Sequence, residues 1–280
     1  MNTLPLLARV IADATAALGE TSFAETLSVG IKDWVTADDI SLIRYLDTGV
    51  PVVEYTSPPK RKGRTTLDRY VNGPFLLDPF YRALEVHRRY GVFQLSKLAP
   101  KGFKESEYFR TWYHECGFQD ECGLLIKLGH GSVNLALGMT HDSRRFSKRQ
   151  IDRLDAIFPA VEALVRKHWS TATTSISAQP DFRQRLQQAL GAFGASVLTR
   201  REREVIELVL LGHSTRLVAE KLGISTETVK LHRKHAYAKL DISSQAELFY
   251  LFVDAIASHS GEDHEDPLTY YHGTGKHRAL

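Results

Sequence analysis

A chain of 280 residues, with 36 Lys and Arg against 33 Asp and Glu, is long enough for two domains and carries a net charge of only +3. That balance excludes a basic tail or a whole-molecule field as the source of nucleic-acid affinity, so any such affinity must come from a local patch. Two cysteines, Cys116 and Cys122, are too few for a disulfide framework and lack metal-ligand spacing, which fits a reducing, cytoplasmic setting.

Residues 4–18 and 22–34 carry the apolar spacing of amphipathic helices. The first is not a signal sequence, because Arg9 and Asp13 interrupt it, and no stretch is long and apolar enough to cross a bilayer. Residues 40–46 and 50–55 predict two strands joined at Asp47-Thr48-Gly49, with Gly at the tight turn. Residues 57–64 form a breaker-rich basic loop that could touch phosphate or simply be solvated. Helical stretches follow at 65–71, 78–88 and 104–115, with a short strand at 91–95. A second hairpin, 123–127 and 133–139, turns at Gly129-His130-Gly131. A long helix begins with Ser147 and Gln150 as a capping box and carries Ile151, Leu154, Ile157, Val161, Leu164 and Val165 on one stripe, with a bend expected at Pro159. Hairpins flanked by helices, without strand–helix–strand alternation, predict an antiparallel sheet covered by helices over residues 1–170.

This domain is rich in large amphipathic side chains, among them Tyr45, Tyr55, Tyr70 and Trp112. They suit either an ordinary core or an apolar pocket with a few polar anchors. Asp78 can anchor a ligand, or it can N-cap a helix that has Pro79 at its first position.

Residues 171–181 have the small polar composition of a linker, and a helix over 181–192 leads into the last domain, 182–258. Four helix starts mark that domain. Thr199 with Glu202 and Ser244 with Glu247 have capping-box spacing, while Ser214 and Ser225 are single N-caps. The helices are expected at 199–211, 215–222, 226–240 and 244–257. Residues 215–234 fit a helix-turn-helix template: Ala219 suits a close helix crossing, Gly223 a turn needing positive φ, and Val229 the buried face of the second helix. Residues placed every 100° around 226–240 put Val229, Ala236 and Leu240 on one side and Glu227, Lys230, Leu231, Lys234 and Ala238 on the other. An outward face with cations and one apolar residue is what a major-groove helix needs. Residues 259–280 lack periodicity and predict a disordered tail. Its histidines, His259, His264, His272 and His277, have no metal-site spacing.

Leu198-Thr199, Arg201-Glu202, Glu204-Val205, Gly212-His213-Ser214, Ala219, Leu222, Ile224-Ser225, Thr228-Val229-Lys230, His232 and Lys239-Leu240 resemble the LuxR/GerE-type helix-turn-helix domain. The resemblance implies an α+β chain. Its N-terminal α/β/α sandwich would hold an antiparallel sheet, in the manner of GAF/PAS-like and autoinducer-binding domains. A four-helix DNA-binding domain would follow. It implies that Lys230, Leu231 and Lys234 approach bases, while Thr226, Thr228, His232 and Arg233 lie nearer the phosphates, which position a domain without reading sequence. Tyr70 followed by Asp78-Pro79 echoes the ligand anchor of autoinducer receptors.

The partners implied are double-stranded DNA with a roughly palindromic operator, a second copy of the chain, a small-molecule effector and RNA polymerase. Leu248, Leu251, Phe252, Ala255 and Ile256 form an apolar stripe on the fourth helix that serves either as core or as a dimer contact. The N-terminal domain would be an effector sensor or a ligand-free dimerisation scaffold. No cofactor or metal is expected. Neither a phosphate-cradling Gly loop nor a nucleophile elbow occurs, and His114-Glu115-Cys116 are adjacent helical positions that point apart, so no enzyme is expected.

Overall fold

The computed structural model describes residues 4–46, 51–58, 67, 70–71, 74–106, 108–110, 117–140, 145–170, 188–258 and 266–269. They form two compact units. The first is drawn from 1–67, 79–98 and 116–180, the second from 68–78, 99–115 and 181–280.

The first unit is a five-stranded antiparallel sheet with helices on both faces. Helices α1 (Leu4–Ala16) and α2 (Phe23–Val35) precede β1 (Asp39–Tyr45) and β2 (Val52–Thr56). A 3-10 turn (Pro74–Leu77), which belongs to the second unit, leads to α3 (Pro79–Glu85), β3 (Gly91–Gln94) and the one-turn α4 (Leu95–Leu98). β4 (Asp120–Lys127), β5 (Ser132–Met139) and the long α5 (Lys148–Ser170) complete it. The strand order is β2-β1-β5-β4-β3.

Alternation along the strands assigns the two faces. Ile40, Leu42, Leu124, Ile126, Val133, Leu135 and Leu137 join one core with Phe23, Leu27 and Ile31 of α2 and with Leu154, Ile157, Val161 and Val165 of α5. The residues between them face α3: a Cβ on Gly123 would lie 2.8 Å from the Phe80 ring and 2.7 Å from Asn134 Oδ1.

The expected strands and the long helix are present, with ends shifted by up to three residues. The Ser147–Gln150 box closes in both directions, Ser147 N–H donating to Gln150 Oε1 at 3.0 Å and Gln150 N–H to Ser147 Oγ at 3.3 Å. α5 runs through Pro159 as one helix. Where a helix is expected at 104–115, a 3-10 turn (Phe103–Glu105) is followed by helical turn at 108–110. The turn at Asp47-Thr48-Gly49, most of the basic loop, most of the stretch at 65–71, and the linker 171–181 lie outside the described residues.

The second unit holds α6 (Arg200–Leu210), α7 (Thr215–Leu222), α8 (Thr226–Lys239) and α9 (Gln245–Ser258). Each begins within a residue of its expected start because its cap is local chemistry. Thr199 and Glu202 form the reciprocal box, Ser214 Oγ accepts from Leu217 N–H, and Ser225 Oγ accepts from Thr228 N–H. Gly223 ends α7 at φ +65°.

Two expectations about chain organisation are corrected. Residues 68–78 and 99–115, expected in the N-terminal domain, belong to this second unit. Lys101 carbonyl accepts from Ser214 N–H at 3.1 Å, the Phe103 ring covers Gly212, and Tyr108 meets Phe249 of α9 edge-on at 6.5 Å. Apolar burial against residues more than a hundred positions away holds this segment there, which no local pattern records.

The tail is also not without structure. Asp266 accepts from Gly194 N–H at 2.9 Å, Ser196 N–H at 2.8 Å and Ser196 Oγ at 2.6 Å, and Leu268 is fully buried. One carboxylate and one leucine suffice where periodicity is absent.

Candidate nucleic-acid interface

Helix α8 is positioned by what its inner face buries. Val229 and Ala236 are 1% and 0% exposed, and Leu240 follows them into the core at the helix end. Glu202 of α6 reaches across to Lys239, whose Nζ donates to Glu202 Oε2 at 2.7 Å. Burial pushes the Glu202 carboxyl up, but hydrogen bonds from Lys239 and Thr199, with the Lys239 charge, outweigh it and hold the group below the usual carboxylate range.

With the inner face committed, the outer face is open. Thr226, Glu227, Lys230, Leu231, Lys234 and Ala238 are exposed. Leu231, at 50%, is an apolar side chain standing in water between cations. Lys230 Nζ donates to Glu227 Oε1 at 2.8 Å. His232 and Arg233 are half-buried at the edge of this face. Thr228 serves the cap as well as the surface, its hydroxyl lying 2.8 Å from Ser225 Oγ.

Lys230, Arg233 and Lys234 also line a cleft of ≈ 540 Å³ with Tyr237, Ala238, Ile242, Ser243, Ser244 and Gln245. The seven residues singled out from the sequence, 226, 228 and 230–234, thus occupy one helix, four of them exposed and three half-buried. Sequence reasoning missed the start of α9 as the second wall of the cleft. The Ser244–Glu247 spacing located that helix start but carried no information about what it abuts.

The five aromatic and acidic residues named for a ligand do not form one set. Tyr45 lies on the α3 side of the sheet, its ring 5.1 Å from Tyr81. Tyr55 pairs in register with Leu42 and packs with the core on the other side. Burial, reinforced by Glu25, Asp33 and Asp39, raises its phenol above the ordinary value. The sheet therefore separates Tyr45 from Tyr55. Tyr70 hydroxyl donates to Asp78 Oδ2 at 2.5 Å, both residues buried and both in the second unit. Trp112 lies outside the described residues.

The apolar stripe of α9 is core within its own unit. Leu248, Leu251, Phe252, Ala255 and Ile256 are each at most 4% exposed, and Phe252 packs edge-on against Phe193 at 5.4 Å. Among the described residues no helix is long and apolar enough to cross a membrane.

Residues 196–252 match the family described as bacterial regulatory proteins, luxR family. Over 197 residues, 68% of this chain and all of the relative, the sequence is 37% identical to a protein of Aeromonas salmonicida named as an HTH-type transcriptional regulator in the exeN 3′ region. A shorter match, 40% identical over 52 residues, is to the oxygen regulatory protein NreC of Staphylococcus haemolyticus, and covers 19% of this chain and 24% of that one. Among solved structures, the VqsR LBD domain from Pseudomonas aeruginosa superimposes with a TM-score of 0.51 at 24% identity, over 59% of this chain and 96% of the other. That likeness is one of fold.

Proposed function

Since the chain belongs to the luxR family of bacterial regulatory proteins, we propose that α8 enters the major groove of a specific duplex and that the N-terminal unit governs when it does so. The chain is a transcriptional regulator and not an enzyme. The observation that carries the DNA reading is the open ridge of α8, where Lys230, Leu231 and Lys234 stand exposed on a helix whose opposite side is buried. Thr226, Thr228, His232 and Arg233 flank that ridge toward the phosphates. A second copy of the chain on a roughly two-fold site would double the contact, and RNA polymerase is the further partner of such a regulator at a promoter. The setting of this work is the cytoplasm.

Titration of fluorescent duplexes with the full chain tests this reading. Binding should weaken steeply with salt, since each neutralised phosphate releases counterions. Lys230→Ala should weaken binding to the selected duplex. Folded protein that ignores every duplex at low ionic strength would overturn the reading.

For the N-terminal unit, a small-molecule effector is the reading we favour. The fold that this unit shares with the VqsR LBD domain supports it. A scaffold without ligand is the competing reading, supported by the tight packing of Tyr45, Phe80 and Tyr81, each at most 1% exposed. A ligand bound only by the folded protein must raise its melting temperature. A metabolite library that leaves the melting temperature unmoved favours the scaffold.

A further inference from the structure

The open ridge of α8 holds one acid among its cations. Glu227, Lys230, Leu231, Lys234 and Ala238 follow one another at steps of three, one, three and four residues, and all are exposed. Glu227 and Lys230 form an ion pair at 2.8 Å with side chains 77% and 56% exposed. A pair so open to water adds little to stability, because solvent screens it and both side chains lose rotamer freedom. On a face turned toward a polyanion, a carboxylate is moreover repelled unless it meets a hydrogen-bond donor.

Position supplies the donor. Glu227 is the second residue of α8, at the N-terminal end by which a recognition helix reaches base edges. In the major groove, cytosine offers its N4 amino group to a carboxylate, and guanine offers O6 and N7 to a lysine. Over guanine or thymine a carboxylate faces only acceptors. A C·G pair therefore presents, side by side, the complement of what Glu227 and Lys230 present side by side.

Building on the DNA-binding reading above, we infer that Glu227 is a specificity-determining residue. Its pair with Lys230 opens on the duplex, Glu227 accepting from the amino group of a cytosine and Lys230 donating to the guanine paired with it. Glu227 acts by exclusion as much as by contact. Its charge lowers affinity for every duplex that places guanine or thymine beneath it, so the same carboxylate weakens non-specific binding and sharpens choice.

The test is selection of duplexes from a random pool by the full-length parent, E227A and E227Q proteins, followed by titration of the enriched and random duplexes at one salt concentration. The parent should enrich a motif containing an invariant C·G pair. E227A should lose about tenfold in discrimination at that pair alone, while binding random duplex about two- to fivefold more tightly, having lost a negative charge. E227Q should shift the preference toward adenine, whose N6 and N7 match a carboxamide.

Variants that fold as the parent does and enrich the same motif with the same base ratios would overturn the inference, leaving Glu227 a surface charge. A parent that enriches nothing at low salt would instead sink the DNA-binding reading, and this inference with it, so the two failures are distinguishable.

Discussion

Lys239, the last residue of α8, and Glu202, the third of α6, are joined through a single oxygen: Glu202 Oε2 accepts from Lys239 Nζ at 2.7 Å and from Thr199 N–H at 2.8 Å. One carboxylate thus closes the cap of α6 and pins the far end of α8. The Glu202 side chain is 5% exposed and that of Lys239 39%.

Glu202→Ala should therefore cost about 2–4 kcal/mol, the sum of a lost cap and a lost charge-assisted hydrogen bond, measured by urea denaturation at neutral pH. The acid limb follows from the depressed carboxyl. A lowered folded-state value gives stability that is fully present above the ordinary carboxylate value of about 4.3 and is lost as pH falls through the folded value. The parent should accordingly lose more stability than Glu202→Gln on acidification through that window. Parallel acid profiles would remove Glu202 from this role.

Gly223 and Gly212 separate backbone strain from crowding. Both have left-handed φ, +65° and +79°. A Cβ at Gly223 meets nothing within 4 Å, whereas at Gly212 it would lie 2.8 Å from the Phe103 ring and 3.2 Å from Ser106 Cβ. Gly223→Ala should cost about 1–2 kcal/mol, from φ alone. Gly212→Ala should cost about 1–3 kcal/mol more, because the Phe103 ring must yield. Equal melting temperatures for the two variants would show that segment 99–110 does not rest on this turn.

The latch at Asp266 and Leu268 should contribute to stability although it lies after the last long helix. Leu268→Ala should cost about 2–5 kcal/mol as a fully buried leucine. Asp266→Ala should speed amide hydrogen exchange at Gly194 and Ser196, the two backbone donors it accepts from. Unchanged exchange at both would show the latch open in solution.

Arg233, at the edge of the ridge, should act on affinity through charge more than through choice. Arg233→Ala should reduce the slope of log K against log salt by about 0.9 if it neutralises one phosphate, with the selected motif retained. A changed motif with an unchanged slope would move Arg233 from the backbone to the bases.

The helix-turn-helix was legible because its determinants lie within four residues of one another. Thr199 and Glu202, Ser214, Gly223 and Ser225 each act on the nearest turn, so spacing alone locates them. The ridge of α8 was legible for the same reason, since burial of Val229 and Ala236 settles what remains outside. The faces taken by Tyr45 and Tyr55 were not. Tyr45 and Tyr55 are ten residues apart in one hairpin, and the register shift between Leu42 and Ile43 leaves them on opposite faces of the sheet. A shift of one residue reverses every side chain beyond it, and composition carries no trace of it.

By itself, then, the amino-acid order determined the helix starts of the last domain, its glycine turn, its family and which side of its third helix meets water, since each follows from caps and periodicity acting over a turn or two. Only the tertiary structure decided that Lys101, Phe103 and Ser106 pack on the Gly212 turn, that Asp266 returns to Gly194, and that the apolar stripe of α9 is core. Those contacts join residues far apart in the chain, where partner choice depends on the shape of surfaces that exist only after folding.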